Sequence, residues 1–334
     1  MPLKLALIGL KGHEGVVLAG AKQLGDIELI AVADDVSKNL VAFKKTEKLA
    51  AAAQGFDDWR QLFEQTRPDV VCLSDANDLH AAQILVAASK GIDVVTEKPL
   101  ALTLDDLAKV RAALATSKTR LTALLTMRHE AKYSVVRKLI ADGAIGDVAQ
   151  VTAQKSYRLG TRDAWFKSAA RLGGMIPYIG IHPVDLIRWT TGLDFTRVAA
   201  LAGRAGDFAQ LGEGKNAASI LAALSNGASA TIRLDYLRPE TAPTHGDDRL
   251  RVVGSRGIVE CRGDEPKILL VTDKEGPHKI EPDKPTNLFV EYRRAIDAGK
   301  PWPIAAEDAL RASEIVLLMR QAAESGAFVD VPKA

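Results

Sequence analysis

Short apolar runs alternate with amphipathic stretches over the first third of the chain. Runs at 3–9, 27–33, 69–73, 92–96 and 121–125 predict buried strands. The stretches over 16–24, 40–53 and 79–89, and the one that follows Thr103, read as helices. Asp57-Asp58-Trp59 opens a further short helix. Lys90-Gly91 is a helix stop, and Thr103 is an N-cap with Asp105 and Asp106 in the turn it caps. Strands alternating with helices in this way predict parallel βαβ units with helices on both faces.

The pattern changes after about residue 125. A helix over 131–141 ends at Asp142-Gly143. Alternating segments follow at 148–157, 198–203, 217–224, 228–236, 250–253 and 258–261. Alternation is the mark of half-buried strands, and Asn226-Gly227 between two of them predicts a hairpin. Helices fall near 184–190, 288–298 and 306–325. The polar, proline-bearing stretches 239–248 and 273–285 predict surface loops or lids. The expectation is an α/β chain of two domains, 1–125 and 126–334. The second carries a large, mostly antiparallel open sheet, and its final helix can pack back on the first domain.

Composition narrows the function classes. The 334 residues carry 44 basic and 42 acidic side chains, a net charge of +2, which offers no basic field for nucleic acid. Cys72 and Cys261 lie far apart in apolar runs, which fits reduced buried thiols in the cytoplasm and no disulfide framework or cysteine metal site. No apolar stretch approaches the ~20 residues that span a bilayer, and the first run is too short for a secretory signal.

Gly9-Leu10-Lys11-Gly12-His13-Glu14-Gly15 joins the first strand to the first helix. A dinucleotide loop needs a tight turn, close backbone approach to the diphosphate and free N–H groups at a helix N-terminus. The strict G-x-G-x-x-G spacing fails, because Lys11 and Glu14 stand at its second and third positions. Position supports the loop nonetheless, and Asp34 closes the second strand some twenty residues on. An acid there accepts hydrogen bonds from ribose hydroxyls and favours NAD over NADP. Asp35 repels a 2′-phosphate, while Lys11 leaves room for one. The plainer reading is that Asp34 and Asp35 start a turn.

Glu97-Lys98-Pro99 closes the run at 92–96. A lysine at the carboxyl end of a strand in such a sheet points into the ligand crevice, and partial desolvation suits it to proton transfer. The proline holds Lys98 extended. An exposed lysine before a turn is the alternative. Tyr178, His182 and Asp185 are spaced four and three apart, which puts phenol, imidazole and carboxylate on one helical face. Pro177 and Pro183 interrupt that helix unless the register survives them. The alternative is a buried histidine and an aspartate at a helix start.

Together the glycine loop, Asp34, Asn77-Asp78-Leu79-His80, Glu97-Lys98-Pro99, the 173–185 segment and Gly299-Lys300-Pro301 resemble the Gfo/Idh/MocA oxidoreductase family. The resemblance covers nearly the whole chain and implies a dinucleotide-binding Rossmann domain followed by a substrate-binding and oligomerisation domain. It implies hydride transfer between NAD, or NADP, and a carbon of a sugar, cyclitol or related polyol, in a homodimer or homotetramer joined through the second sheet. By it, Gly9, Leu10, Lys11, Gly12, His13, Asp34, Ser74, Asn77, His80, Glu97 and Lys98 face the cofactor. Lys98, His182 and Tyr178 are catalytic, and Arg128, Trp165 and Asp185 meet the substrate, with no metal.

Tyr178 stands where many relatives have an aspartate, and Asp75-Ala76-Asn77 replaces their Thr-Pro-Asn-like step. The second change sets a negative charge near the nicotinamide half. Two other readings therefore stay open: a glycosidase or lyase that retains NAD, and a nucleotide-binding regulator without catalysis.

Overall fold

The apolar runs of the first third become strands of one parallel sheet. They are β1 (Leu3–Ile8), β2 (Ile27–Ala33), β3 (Gln54–Phe56), β4 (Val70–Leu73), β5 (Asp93–Thr96) and β6 (Leu121–Ala123), in the order β3-β2-β1-β4-β5-β6. The connecting helices are α1 (Glu14–Leu24), α2 (Ser37–Thr46), α3 (Trp59–Gln65), α4 (His80–Ser89) and α5 (Leu104–Thr116). The computed structural model describes residues 2–333 apart from 213 and 264.

Every residue of β4 is buried, as expected of a central parallel strand covered on both faces. Strand order reverses between β1 and β4, so the loops after these two strands flank the crevice where such sheets bind ligands. The helix expected over 40–53 is shorter. Glu47 turns extended, its carboxylate accepts from Leu49 N at 3.1 Å, and the chain goes on to the edge strand β3.

The second sheet contains β7 (Val148–Tyr157), β8 (Phe195–Gly203), β9 (Ala217–Leu224), β10 (Ser229–Asp235), β11 (Gly246–Gly254), β12 (Gly257–Cys261), β13 (Ile268–Thr272), β14 (His278–Ile280) and β15 (Val329–Asp330). Its order is β14-β13-β12-β11-β7-β10-β9-β8-β15, with β7 and β10 parallel and the other pairs antiparallel. The hairpin at Asn226-Gly227 joins β9 to β10. Asn226 fixes it by accepting from Ala228 N at 3.0 Å and donating to Val148 O at 2.8 Å. The stretches read as loops at 239–248 and 273–285 each hold strand residues, the start of β11 and the whole of β14.

Helices of the second half are α6 (Ala131–Ala141), the short α7 (Ala164–Lys167) and α8 (Ala169–Leu172), α9 (Met175–Thr191), α10 (Leu288–Asp297) and α11 (Ala306–Ser325). The helix expected near 184–190 is the end of the longer α9, which runs through both prolines. Pro177 occupies the first turn, where no N–H donor is needed. Pro183 lies inside, and burial of most of the helix holds it together there.

The chain divides into two units: 1–125 with 286–310, and 126–285 with 311–334. The sequence reading had placed 286–310 with the second half. That segment joins the first unit through Asn287, whose Nδ2 donates to Val16 O at 3.0 Å, and through Arg293, which meets Asp26 at 2.9 Å. Tyr292 packs on Trp302 at 4.2 Å, and the Arg120 guanidinium lies 5.0 Å from the Trp302 ring centre.

Candidate functional site

In the first unit the residues of interest gather on the loops after β1, β2, β4 and β5. Gly9 has φ +80°, and a Cβ there would lie 2.5 Å from the backbone of Ser74 and Asp75. Only glycine permits that approach, and Lys11 N seals it by donating to Ser74 O at 2.9 Å.

Asp34 is buried at the end of β2. Its Oδ2 accepts from Leu10 N at 3.0 Å and Lys11 Nζ at 3.2 Å, and its Oδ1 accepts from Val36 N at 2.9 Å. Lys11 also reaches Asp35 at 2.8 Å and Asp75 at 2.9 Å. Burial pulls the Lys11 ammonium down, but Asp75, Asp35 and Asp34 outweigh it and leave its pKa raised. Asp75 is answered on both oxygens, by Lys11 and Ala76 N on Oδ1 and by Gln83 on Oδ2. Burial would raise its pKa, and Lys11 brings it below the ordinary aspartate value.

Two further acids, Glu97 from the loop after β5 and Glu14 of α1, meet the start of α1. His13 N and Nδ1 meet Glu97 Oε1 at 2.5 and 2.6 Å. Gly12 leaves space for that carboxylate, since a Cβ would come 2.5 Å from Glu97 Oε1. Burial alone would raise Glu97, but His13 and Lys98 hold it down at about 2. Glu14 accepts from Gly12 N at 3.0 Å and from Ser74 Oγ at 2.6 Å. Its pKa is raised, chiefly by burial.

Lys98 is buried with Nζ 4.0 Å from Glu97 Oε2, and its bond to Pro99 is cis. The ring nitrogens of His80 lie 2.8 Å from Pro99 O and 3.0 Å from Asp75 O, so the imidazole braces the two loops. Asn77 is buried at the foot of α4, in the 3-10 turn Asn77–Leu79.

In the second unit α9 keeps Tyr178, His182 and Asp185 in a single helical register, and His182 and Asp185 are buried. Arg128 and Asp185, read from sequence as separate substrate contacts, form a bidentate pair of 2.8 and 2.5 Å. Trp165 is buried and packs edge-on against Phe166 and Tyr178, with ring centres 6.0 and 6.1 Å apart. Sequence reading passed over Glu14, Tyr236 and His245. Only the failed third glycine of the loop pointed to Glu14. Among the described residues no cluster of acids, histidines and cysteines could hold a metal, and no helix is long and apolar enough to cross a membrane.

Residues 3–124 match the profile of an oxidoreductase family with an NAD-binding Rossmann fold, and 133–260 match the C-terminal domain of the Gfo/Idh/MocA proteins. A solved structure from Thermotoga maritima, assigned as an oxidoreductase, superposes with a TM-score of 0.92 at 31% identity, covering 98% of this chain and 100% of that one. An inositol 2-dehydrogenase of Rhizobium meliloti is 27% identical over 277 residues, 78% of each chain. The Bacillus subtilis protein YteT is 27% identical over 165 residues, 47% of this chain and 38% of YteT.

Proposed function

As the chain belongs to the Gfo/Idh/MocA oxidoreductase family and begins with an NAD-binding Rossmann domain, we propose that it is an NAD-dependent dehydrogenase acting on a hydroxyl carbon of a sugar, cyclitol or related polyol. The observation that carries this reading is the buried Lys98 at the carboxyl end of β5, held beside a Glu97 carboxylate that stays ionised. The R. meliloti relative, named for inositol, supports the substrate class.

The donor set fits a dinucleotide. Gly9 gives the close approach, Asp34 offers a carboxylate to the ribose hydroxyls, and Gly12 and His13 amides at the start of α1 would hold the diphosphate. Those amides now answer Glu14 and Glu97, so binding exchanges one anion for another. The nicotinamide, when bound, supplies the hydride acceptor or donor. In this reading Lys98 Nζ would bond the reacting hydroxyl oxygen, and His182 and Tyr178 are the second unit's candidates for moving a substrate proton. The Tyr178 phenol, with an ordinary pKa of ~10, donates a hydrogen bond more readily than it accepts a proton.

Two buried free thiols, Cys72 and Cys261, support a cytoplasmic setting. Leu201, Leu221 and Phe328 stand exposed around a groove of about 690 Å³ on one face of β8, β9 and β10. We assign that face to a second copy of the chain.

Calorimetric titration with NAD and NADP tests the cofactor assignment. The reading expects NAD to bind more tightly, and absence of binding by both would overturn it.

A further inference from the structure

Two arginines of the second unit lack what arginines in partly buried positions normally have. Arg158 and Arg162 are half-buried, yet neither pairs with a carboxylate among the described residues, and both Nε atoms are buried without a hydrogen-bond partner. The acids of the neighbouring strands have partners of their own. Asp248 takes Lys155 on Oδ2 at 2.5 Å and keeps Oδ1 buried without a hydrogen-bond partner, Asp247 takes Arg249 at 2.7 Å and lies 3.7 Å from Arg238, and Asp235 accepts from Ser156 at 2.7 Å. Asp163 is exposed and bonded to neither arginine. A guanidinium stays charged at any working pH, so two of them without a counter-ion are costly unless an anion is to come.

The surroundings are donors as well. The Arg162 guanidinium lies 4.7 Å from the ring centre of Phe166, which packs against Tyr178 at 5.5 Å and Tyr236 at 5.7 Å. Tyr236 is 1% exposed and Trp165 6%, and the Tyr236 hydroxyl and Trp165 indole N–H have no partner among the described residues. His245, whose carbonyl accepts from Arg158 N at 3.0 Å, feels the same field. Burial, then Arg162 and Arg158, lower its pKa and favour the neutral ring.

We propose that Arg158 and Arg162, with the Tyr236 hydroxyl and the Trp165 N–H, form a subsite for an oxyanion carried by the substrate, so that the enzyme acts on an acidic sugar or polyol. The arginine fork matches the two oxygens of a carboxylate or phosphate. The subsite shares the Tyr178 side of α9, so it rests on the dehydrogenase reading and names the substrate class within it.

Calorimetric titration of the NAD-saturated protein with glucuronate, glucose 6-phosphate and glucose separates the cases. One of the two anions binds at least about tenfold more tightly than glucose, and the tighter one identifies carboxylate or phosphate as the source. Arg162→Gln lowers that anion-to-glucose ratio about tenfold. Should Arg162→Gln fail to fold, the wild-type ratio serves alone: it falls as sodium chloride is raised, because the attraction is between charges. Glucose binding as tightly as both anions, no binding of either anion, or a ratio indifferent to Arg162→Gln and to salt overturns the subsite. Failure of the dehydrogenase reading looks different, since anion preference is read from heats of binding whether or not NAD is reduced.

Discussion

Lys11 Nζ lies 2.9 Å from Asp75 Oδ1, so two residues that depart from the family pattern on separate loops form one buried ion pair. In the sequence each looked like damage to a cofactor site: a lysine in place of a glycine, and an acid where the nicotinamide half is expected. In the structure each answers the other, and Lys11 also ties in Asp34 and Asp35.

Removing one partner strands a buried charge. Lys11→Ala should destabilise the protein by about 3 kcal/mol, since breaking a buried pair costs more than its net worth. Lys11→Ala with Asp75→Asn should recover about 1–3 kcal/mol of that loss. Urea unfolding of the four proteins measures the coupling; simple additivity would show that the pair does not act as one.

Asp34 sets the cofactor preference in this account. Asp34→Asn keeps an acceptor for Leu10 N or Val36 N while removing the charge that repels a 2′-phosphate. The affinity ratio of NADP to NAD should rise about tenfold, a change of about 1.4 kcal/mol. An unchanged ratio, measured by calorimetry, would place the ribose elsewhere.

The two acids that meet the start of α1, Glu97 from the loop after β5 and Glu14 in its first turn, give stability a pH dependence of opposite signs. Glu97 falls from an ordinary 4.5 to about 2 in the folded protein, so its contribution is complete above about 4.5 and is lost as the pH falls towards 2. Asp75, also lowered, acts in the same direction. Glu14 is raised, so its ionisation costs stability as the pH rises through its folded value. Glu97→Gln should therefore flatten the acid limb of a thermal-unfolding profile, and Glu14→Gln should raise stability at neutral pH. Parallel profiles for wild type and Glu97→Gln would rule out the assigned role.

Tyr178 stands four residues before His182 on the continuous α9. If its phenol handles a proton, Tyr178→Phe should lower kcat by about 10²-fold and leave NAD affinity unchanged. Full kcat would make the ring a packing partner of Trp165 and Phe166.

How much of this could be read from residues alone follows from the range of each signal. Apolar runs that end in a distinctive residue, β2 at Asp34 and β5 at Glu97-Lys98, were legible because strand and chemistry adjoin. The hairpin at Asn226-Gly227 was legible for the same reason. Helix α9 was not, because Pro183 is a local breaker that only burial overrules. Strands β13, β14 and β15 were missed because they are short and lie at or near the sheet's margins. The Lys11–Asp75 pair joins residues 64 apart in sequence, and Arg158 and Arg162 stand out only once their neighbours' partners are known. Pattern along a chain reports elements; it does not report which charges have been answered.

The central claim is hydride transfer governed by Lys98, and the most direct measurement is substrate-dependent absorbance of reduced nicotinamide, with inositol, glucose and glucuronate, in wild type and Lys98→Ala. The account predicts NADH formation with at least one substrate, and a loss of about 10²–10⁴-fold in Lys98→Ala with NAD binding intact. Near-normal turnover in Lys98→Ala would contradict it, and so would NAD that binds tightly yet is never released as NADH with any of them.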